Sequence, residues 1–127
     1  MYSVELQARK ALYEQIVDQV EKYVLIGLLK ADEQMPSIRA MSLELTLNPN
    51  TVQRAYTELE RKGIIKTLVG KGCFISSNAM EIIKKDKRNS LFDLQEQLKG
   101  LAIAGVEKRE ILALVDEIYA TLKEGKQ

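Results

Sequence analysis

Residues 35–76 read MPSIRAMSLELTLNPNTVQRAYTELERKGIIKTLVGKGCFIS. A serine precedes a short apolar-periodic segment over Ile38–Leu45 and can cap it as a helix. Asn48 and Pro49 predict the start of the next helix, because asparagine caps helices and proline is tolerated at the first helical position. Gly63 is suited to end that helix, since glycine adopts the left-handed conformation common there. The stretch therefore predicts two helices separated by a short turn.

The segments that flank these helices complete a recognisable order of elements. Two apolar runs, residues 64–69 and 73–75, surround Gly70-Lys71-Gly72 and predict a β-hairpin. Upstream, apolar residues recur at every fourth position and predict a helix over residues 8–26, ended by Gly27. The order of helix, short helix, turn, helix and β-hairpin is that of a winged helix-turn-helix.

Residues 78–127 are predicted to form helices with wide apolar faces. One side of the last helix can pack on its neighbour within the chain, and the surplus apolar surface favours a second chain. Folding back onto the N-terminal part is the alternative. We predict a mainly α fold with a small β-hairpin, in which residues 1–77 form a winged helix-turn-helix domain and residues 78–127 a short helical dimerisation domain. The predicted dimer residues are Leu94, Leu98, Ile111, Val115, Ile118 and Leu122.

The composition argues against an enzyme. The sequence has no histidine and a single cysteine, Cys73. This excludes histidine-dependent nucleophiles, an intrachain disulfide and a cysteine-pair metal site. The segment Gly70-Lys71-Gly72 is too short for a phosphate-binding loop or a dinucleotide motif. We therefore expect no catalysis, no cofactor and no metal, and we interpret Cys73 as a packed strand residue, with a sensor thiol as the alternative.

The net positive charge is concentrated in the middle of the chain. Lysine and arginine number 19 against 18 acidic residues, for a net charge of +1. Residues 39–78 alone carry six basic and three acidic residues. The basic run Lys84–Arg88 is interpreted as a solvated face or a linker, and a second phosphate-contacting patch is the alternative. A basic central segment is compatible with a nucleic-acid partner, although the total charge argues mildly against one.

The sequence lacks the signals of export or membrane insertion. The N-terminus has no apolar segment of the kind found in secretory signals, and no stretch approaches 18 apolar residues. A lone thiol is typical of a reducing compartment. We expect a cytoplasmic protein with no membrane partner.

The helix that begins at Pro49 separates apolar from polar residues. Its core-facing positions are Val52, Ala55, Tyr56 and Leu59. The opposite face carries Asn50, Gln53, Arg54, Thr57 and Arg61 and no carboxylate. Such amide, hydroxyl and guanidinium groups can donate to base edges and phosphates in a DNA major groove. A surface helix that is merely polar is the alternative.

The quoted stretch resembles the DNA-binding domain of the GntR family of bacterial transcription regulators. The resemblance covers about residues 12–75 and depends on pieces that occur in order: LYEQIVDQVEKYVLIGLLK, PS-I-R, NPNTVQRAY-ELER-GII and GKG-FI. The wording NPNTVQRAY and the short tail resemble the YtrA subfamily. Two departures are visible, because Ala31-Asp32 replaces the usual Pro-Gly of the family and Cys73 stands where threonine is common.

The resemblance implies which residues contact DNA. They are Arg39, Asn50, Thr51, Gln53, Arg54 and the wing residues Gly70, Lys71 and Gly72, and we include Asn48 at the start of the helix. It also implies a homodimer on a palindromic site, since two-fold symmetry doubles the contacts of a single recognition helix.

The expected function is that of a sequence-specific DNA-binding transcription regulator. We expect a dimeric repressor of a transporter or stress-response operon that binds double-stranded DNA. The alternative is a winged-helix module for protein–protein interaction without DNA binding. The sequence leaves open whether a small-molecule effector exists.

Overall fold

The computed structural model describes residues 1–125, so residues 126–127 of the predicted C-terminal domain lie outside the described residues. Its elements are α1 (Leu12–Leu25), α2 (Ile38–Leu45), α3 (Pro49–Lys62), β1 (Ile65–Leu68), β2 (Gly72–Ile75), α4 (Ala79–Asn89), α5 (Leu91–Ile103) and α6 (Lys108–Gly125). The strands pair antiparallel, with Ile65 opposite Ile75 and Leu68 opposite Gly72. The predicted fold class, mainly helical with one hairpin, is confirmed. No helix in this described range is long and apolar enough to cross a membrane.

The chain divides into two compact units, one from Met1 to Lys87 and one from Arg88 onward. The first unit extends ten residues beyond the boundary predicted at residue 77. The reason is that α4 begins in its core, where Ala79 and Ile83 are buried. The largest fully buried apolar side chains of this unit are Ile16, Val20, Met41, Val52, Leu59, Ile64, Ile75 and Ile83.

The two central helices have the bounds and caps that the sequence predicts. At the start of α2, Ser37 Oγ accepts a hydrogen bond from the Ala40 N–H at 3.0 Å. At the start of α3, Asn48 Oδ1 accepts one from the Asn50 N–H at 2.8 Å. Gly63 ends α3 with a φ of 84°. Local side-chain and backbone chemistry therefore fixes both helix starts and the end of α3.

The first helix begins four residues later than predicted. It starts at Leu12 rather than at Ala8, and the side chain of Gln15 explains the difference. That side chain accepts a hydrogen bond from the Glu5 N–H at 2.8 Å and donates one to the Lys10 carbonyl at 2.9 Å. These bonds hold the preceding segment in a non-helical turn, so its backbone does not extend α1.

The turn before α2 keeps a left-handed residue although it lacks glycine. Asp32 has a φ of 66°, a conformation that aspartate tolerates better than most residues. Its N–H donates to the Ile75 carbonyl at 2.8 Å. Its carboxylate accepts a hydrogen bond from Lys66 Nζ at 3.0 Å. The acid that replaces the glycine of the family pattern therefore ties the turn to the hairpin.

Glu21 is a buried carboxylate at the junction of three helices. Its side chain lies on α1 and is 2% exposed. Lys62 of α3 donates to one oxygen at 3.0 Å, and Lys87 Nζ of α4 lies 3.2 Å from the other. Burial disfavours the Lys62 ammonium, but Glu21 together with the nearby carboxylates of Asp86 and Glu58 raises the pKa of Lys62. Lys87 therefore differs from the solvated face or linker that was predicted for Lys84–Arg88, because its ammonium balances the buried charge of Glu21.

The N-terminal segment contributes Tyr2 to the core. The Tyr2 ring lies 5.5 Å from that of Tyr23, centroid to centroid, and its backbone N–H donates to Glu44 Oε2 at 3.0 Å. The Tyr23 hydroxyl in turn donates to the Met1 carbonyl at 2.7 Å. Within the described residues, the buried Tyr2 hydroxyl has no hydrogen-bond partner. Burial raises the pKa of Tyr2 to about 12.

Two tyrosine-to-phenylalanine substitutions should have opposite effects on stability. We predict that Tyr2→Phe raises the free energy of unfolding by about 1 kcal/mol, because a buried hydroxyl without a partner is costly. Tyr56→Phe should lower it by about 1 kcal/mol, since the Tyr56 hydroxyl donates to the Pro36 carbonyl. Urea denaturation at pH 7 measures both values. A loss of stability in Tyr2→Phe would show that its hydroxyl is satisfied in solution.

The raised pKa of Tyr2 predicts that stability depends on pH in the alkaline range. The pKa of Tyr2 is about 12 when folded against an ordinary value of 10.0, so the unfolded chain loses this proton first as pH rises. Stability should therefore fall from about pH 10 toward pH 12. Tyr2→Phe should make this decline shallower, which denaturation curves across that range would reveal.

Removing a lysine that pairs with the buried Glu21 should lower the stability of the fold more than removing a solvated lysine. We predict that Lys62→Met lowers the free energy of unfolding by about 2–3 kcal/mol, because a buried carboxylate keeps only one partner. Lys85→Met, in the exposed basic run, is the matched control and should change it by less than about 0.5 kcal/mol. The double variant Glu21→Gln/Lys62→Met should recover part of the loss. Equal effects of the two lysine substitutions in urea denaturation would contradict this.

Candidate nucleic-acid interface

The third helix has a buried face and an exposed polar face, as its sequence predicts. The buried residues are Val52, Ala55, Tyr56 and Leu59. The exposed residues opposite them include Asn50, Gln53, Arg54 and Thr57. The Tyr56 hydroxyl donates to the Pro36 carbonyl at 2.6 Å and so ties α3 to the chain that enters α2. This contact and the buried face together fix which side of α3 points outward.

The first two turns of this exposed face carry no carboxylate. Glu58 is the first acid in α3, and Arg61 Nε donates to it at 2.7 Å. This hydrogen bond lowers the pKa of the Glu58 carboxyl and raises that of Arg61. Arg61, predicted on the open polar face, is therefore engaged by a neighbouring side chain. The N-terminal half of α3 presents mainly hydrogen-bond donors, which match the acceptors of phosphates and base edges.

Arg54 is held against a neighbouring helix. Its guanidinium carbon lies 3.9 Å from the centroid of the Tyr13 ring, which belongs to α1. Beside it, Gln53 Nε2 donates to Thr57 Oγ1 at 3.3 Å. The two central residues of the predicted DNA-reading set are thus both partly ordered by side-chain contacts.

An open groove of about 400 Å³ lies next to the start of α3. Its lining residues are Ala11, Leu12, Tyr13, Asn50, Thr51 and Arg54. Three predicted DNA-binding residues of α3 therefore share one depression with the beginning of α1. Asn48 directly precedes them, and its Oδ1 is occupied by the helix cap.

Two further predicted cations lie on other elements of the first unit. Arg39 is exposed in the first turn of α2, and Lys71 is exposed at the tip of the hairpin. The Lys71 N–H donates to the Leu68 carbonyl at 2.9 Å. Gly70 and Gly72 have φ values of 76° and 110°, which few other residues adopt. The glycines therefore allow the tight turn that presents Lys71.

Gln34 supports this turn, and the sequence analysis missed it. Its Nε2 donates to the Lys71 carbonyl at 3.0 Å, and its backbone forms a bridge with Phe74 of β2. A Cβ at Gly72 would lie 2.9 Å from Gln34 Nε2, so another residue would displace the end of that side chain, and the φ of 110° independently favours glycine. Gln34 is a single polar residue in a loop, 37 positions from Lys71, and no periodic signal marks it.

The second unit leaves its apolar side chains open in the single chain. No residue of α5 is buried, and none of α6 is buried up to Lys123. The predicted dimer residues are all exposed or half-buried: Leu94, Leu98, Ile111, Val115, Ile118 and Leu122. Residues 88–123, whose burial the structure describes, therefore form no buried core of their own within one chain.

The described residues contain no group of three histidine, cysteine, aspartate or glutamate side chains that could hold a metal ion. Cys73 lies half-buried in β2 and packs against the core. Its Sγ is 3.4 Å from Thr67 Oγ1 on the paired strand. The groups that the candidate interface exposes are hydrogen-bond donors and cations.

Comparison with known proteins identifies the family. The profile of "Bacterial regulatory proteins, gntR family" matches residues 12–75. The HTH-type transcriptional repressor YtrA of Bacillus subtilis (strain 168) is 39% identical over 131 aligned positions, covering 100% of this chain and 98% of that protein. The chain belongs to the GntR family. The resemblance to GntR regulators is thereby confirmed.

Two solved structures are similar to this chain along most of its length. A structure titled as a transcriptional antiterminator from Listeria monocytogenes EGD-e has a TM-score of 0.75 and 35% identity, covering 94% of this chain and 90% of that chain. A transcriptional regulator from Oenococcus oeni has a TM-score of 0.67 and 34% identity, covering 91% and 97%. The GntR family and YtrA are transcription regulators rather than enzymes, and the GntR domain is a DNA-binding winged helix-turn-helix.

Proposed function

We propose that this GntR chain is a dimeric repressor that binds a two-fold operator in double-stranded DNA through α3. The observation that carries the proposal is the exposed N-terminal half of α3, which offers donors and Arg54 without a carboxylate. Two exposed cations on neighbouring elements, Arg39 and Lys71, support it. YtrA of Bacillus subtilis, which the whole chain resembles, is named as a repressor.

In this proposal α3 enters the major groove with its N-terminal half. Gln53 and Arg54 read base edges, because glutamine pairs with adenine and arginine with guanine through two hydrogen bonds. Residues 48–51 contact bases or phosphates near the helix start, as in other helix-turn-helix proteins. Arg39 and the wing residues 70–72 contact the phosphate backbone, which positions the domain without reading sequence.

The dimer is proposed to form through the second unit. Its two helices have 13 and 18 residues, and isolated helices of such length are marginally stable in water. Val115 and Ile118 are 42% and 49% exposed in the single chain. Because more than half of each side chain is already covered, burying the remainder contributes about 1 kcal/mol each. A second copy of the chain offers the same apolar faces and would cover them symmetrically.

Repression would follow from occupancy of a promoter by the dimer. Two winged domains on one two-fold site block access of the transcription machinery to the DNA beneath them. By resemblance to the YtrA subfamily, we propose a transporter operon as the regulated target, with a stress-response operon as the alternative. Genome-wide footprinting in the native host would locate the bound promoters.

Selection from a random duplex library tests DNA recognition directly. Purified protein is mixed with duplexes whose random segment accommodates two half-sites one or two helical turns apart. We expect enrichment of an inverted repeat that the protein binds more tightly than a scrambled duplex. A folded protein that enriches no sequence would contradict the proposal and favour the protein–protein module.

The wing should contribute a contact that is independent of sequence. We predict that Lys71→Ala weakens binding to specific and scrambled duplexes alike and reduces the slope of log Kd against log salt by about one. Lys66→Ala is the matched control on the same hairpin, where Nζ is paired with Asp32 at 3.0 Å. The control should change the slope less. An unchanged slope in Lys71→Ala would mean that the wing tip does not contact phosphate.

A charge in the apolar face of α6 should separate assembly from DNA binding. We predict that Val115→Glu is monomeric at micromolar concentration, because a carboxylate would be buried without a partner at the dimer interface. The variant should keep a folded first unit and lose its preference for two half-sites over one. Ala113→Glu, on the other side of α6, should remain dimeric. Sedimentation measures the oligomeric state of each protein. A dimeric Val115→Glu or a monomeric wild type would contradict the proposed dimer.

A further inference from the structure

The contact between Tyr13 and Arg54 joins α1 to the exposed face of α3. Arg54 Cζ stands 3.9 Å above the Tyr13 ring centroid, within the range of a cation–π interaction. Tyr13 is half-buried and packs against the core of the first unit. The ring is therefore a fixed support, whereas the arginine is a long side chain that would otherwise sample many rotamers.

Stacking on the ring leaves the donors of Arg54 available. A guanidinium is planar, and its N–H groups point outward in the plane of the group. When one face rests on an aromatic ring, the edge of the guanidinium can still form two parallel hydrogen bonds. Asn50 and Thr51 line the same groove as Tyr13 and Arg54, so the edge lies among other predicted DNA-binding residues.

A competing partner for Arg54 is close in sequence. Glu58 follows it by four residues, a spacing at which side chains on a helix form ion pairs. In the structure Glu58 is instead bound by Arg61 Nε at 2.7 Å, while Arg54 rests on Tyr13. Each of the two groups is therefore in direct contact with a different partner, although the charge of Arg54 still helps to lower the pKa of Glu58.

We propose that Tyr13 is a positioning residue that aims Arg54 at a base and so makes α1 part of the sequence-reading surface. The proposal rests on the proposed function, since it assumes that α3 reads DNA. Tyr13 itself contacts no base in this arrangement. Its contribution is to hold the guanidinium in one orientation and to keep it from Glu58.

A double-variant cycle tests this coupling. The measured quantity is the ratio of Kd for a scrambled duplex to Kd for the selected inverted repeat, obtained by fluorescence anisotropy. We expect Tyr13→Leu and Tyr13→Met to lower this ratio about three- to tenfold, as expected for loss of a cation–π contact. Tyr13→Phe keeps the ring and should stay within about twofold of wild type. In an Arg54→Ala background, Tyr13→Leu should cause no further loss.

Further readouts separate this role from a merely structural one. Binding to the scrambled duplex and the thermal midpoint report on folding, and both should change little in Tyr13→Met. Adding Glu58→Gln to Tyr13→Met should restore part of the lost ratio, because the competing carboxylate is gone. A general loss of fold would lower binding to both duplexes and would not be rescued in this way.

The outcomes distinguish the two proposals. If no duplex is preferred by the wild type, the proposed function fails. If the wild type is specific and Arg54→Ala removes specificity while Tyr13→Leu and Tyr13→Met retain it, only the positioning role is overturned. A higher ratio in the non-aromatic variants would also overturn it, because the ring would then be withdrawing Arg54 from DNA.

Discussion

The buried carboxylate of Glu21 determines how the first unit is assembled. A buried charge without a partner would be strongly destabilising, so the helices that supply its two lysines must be in place together. Lys62 lies at the end of α3 and Lys87 near the end of α4. The C-terminal end of α3 is thereby tied to α1, and α4 is joined to the first unit, which extends beyond the boundary predicted at residue 77.

A second side-chain contact joins α1 and α3 one or two turns away from the first. Tyr13 contacts Arg54, and Glu21 contacts Lys62, so both helices place their two contacts eight residues apart. Eight residues span about 12 Å of helix axis. The position of α3 beside α1 is therefore supported by one aromatic and one ionic side-chain contact in addition to the shared core.

Sequence reasoning succeeded where structure is local. The caps of α2 and α3 and the end of α3 at Gly63 depend on residues within a few positions, and their bounds are confirmed. It was wrong at the start of α1, where Gln15 binds a preceding segment that shows no periodicity. Glu21 and Lys87 lie 66 positions apart in the sequence, and Gln34 and Lys71 lie 37 positions apart. The contacts of Glu21 with Lys62 and of Arg54 with Tyr13 fall between these separations. One sequence cannot indicate such pairs, because spacing along the chain does not encode them.

The paired contacts of α1 and α3 set a limit on protein engineering by helix exchange. A graft that moves α3 alone into another winged domain would carry Arg54 and Lys62 but leave their supports behind. The transplanted arginine could then turn toward Glu58, and Lys62 would face an unmatched surface. The smallest segment that preserves both contacts and also Lys87, the second partner of Glu21, runs from Tyr13 to Lys87, so a chimera should exchange α1 to α4 as one cassette.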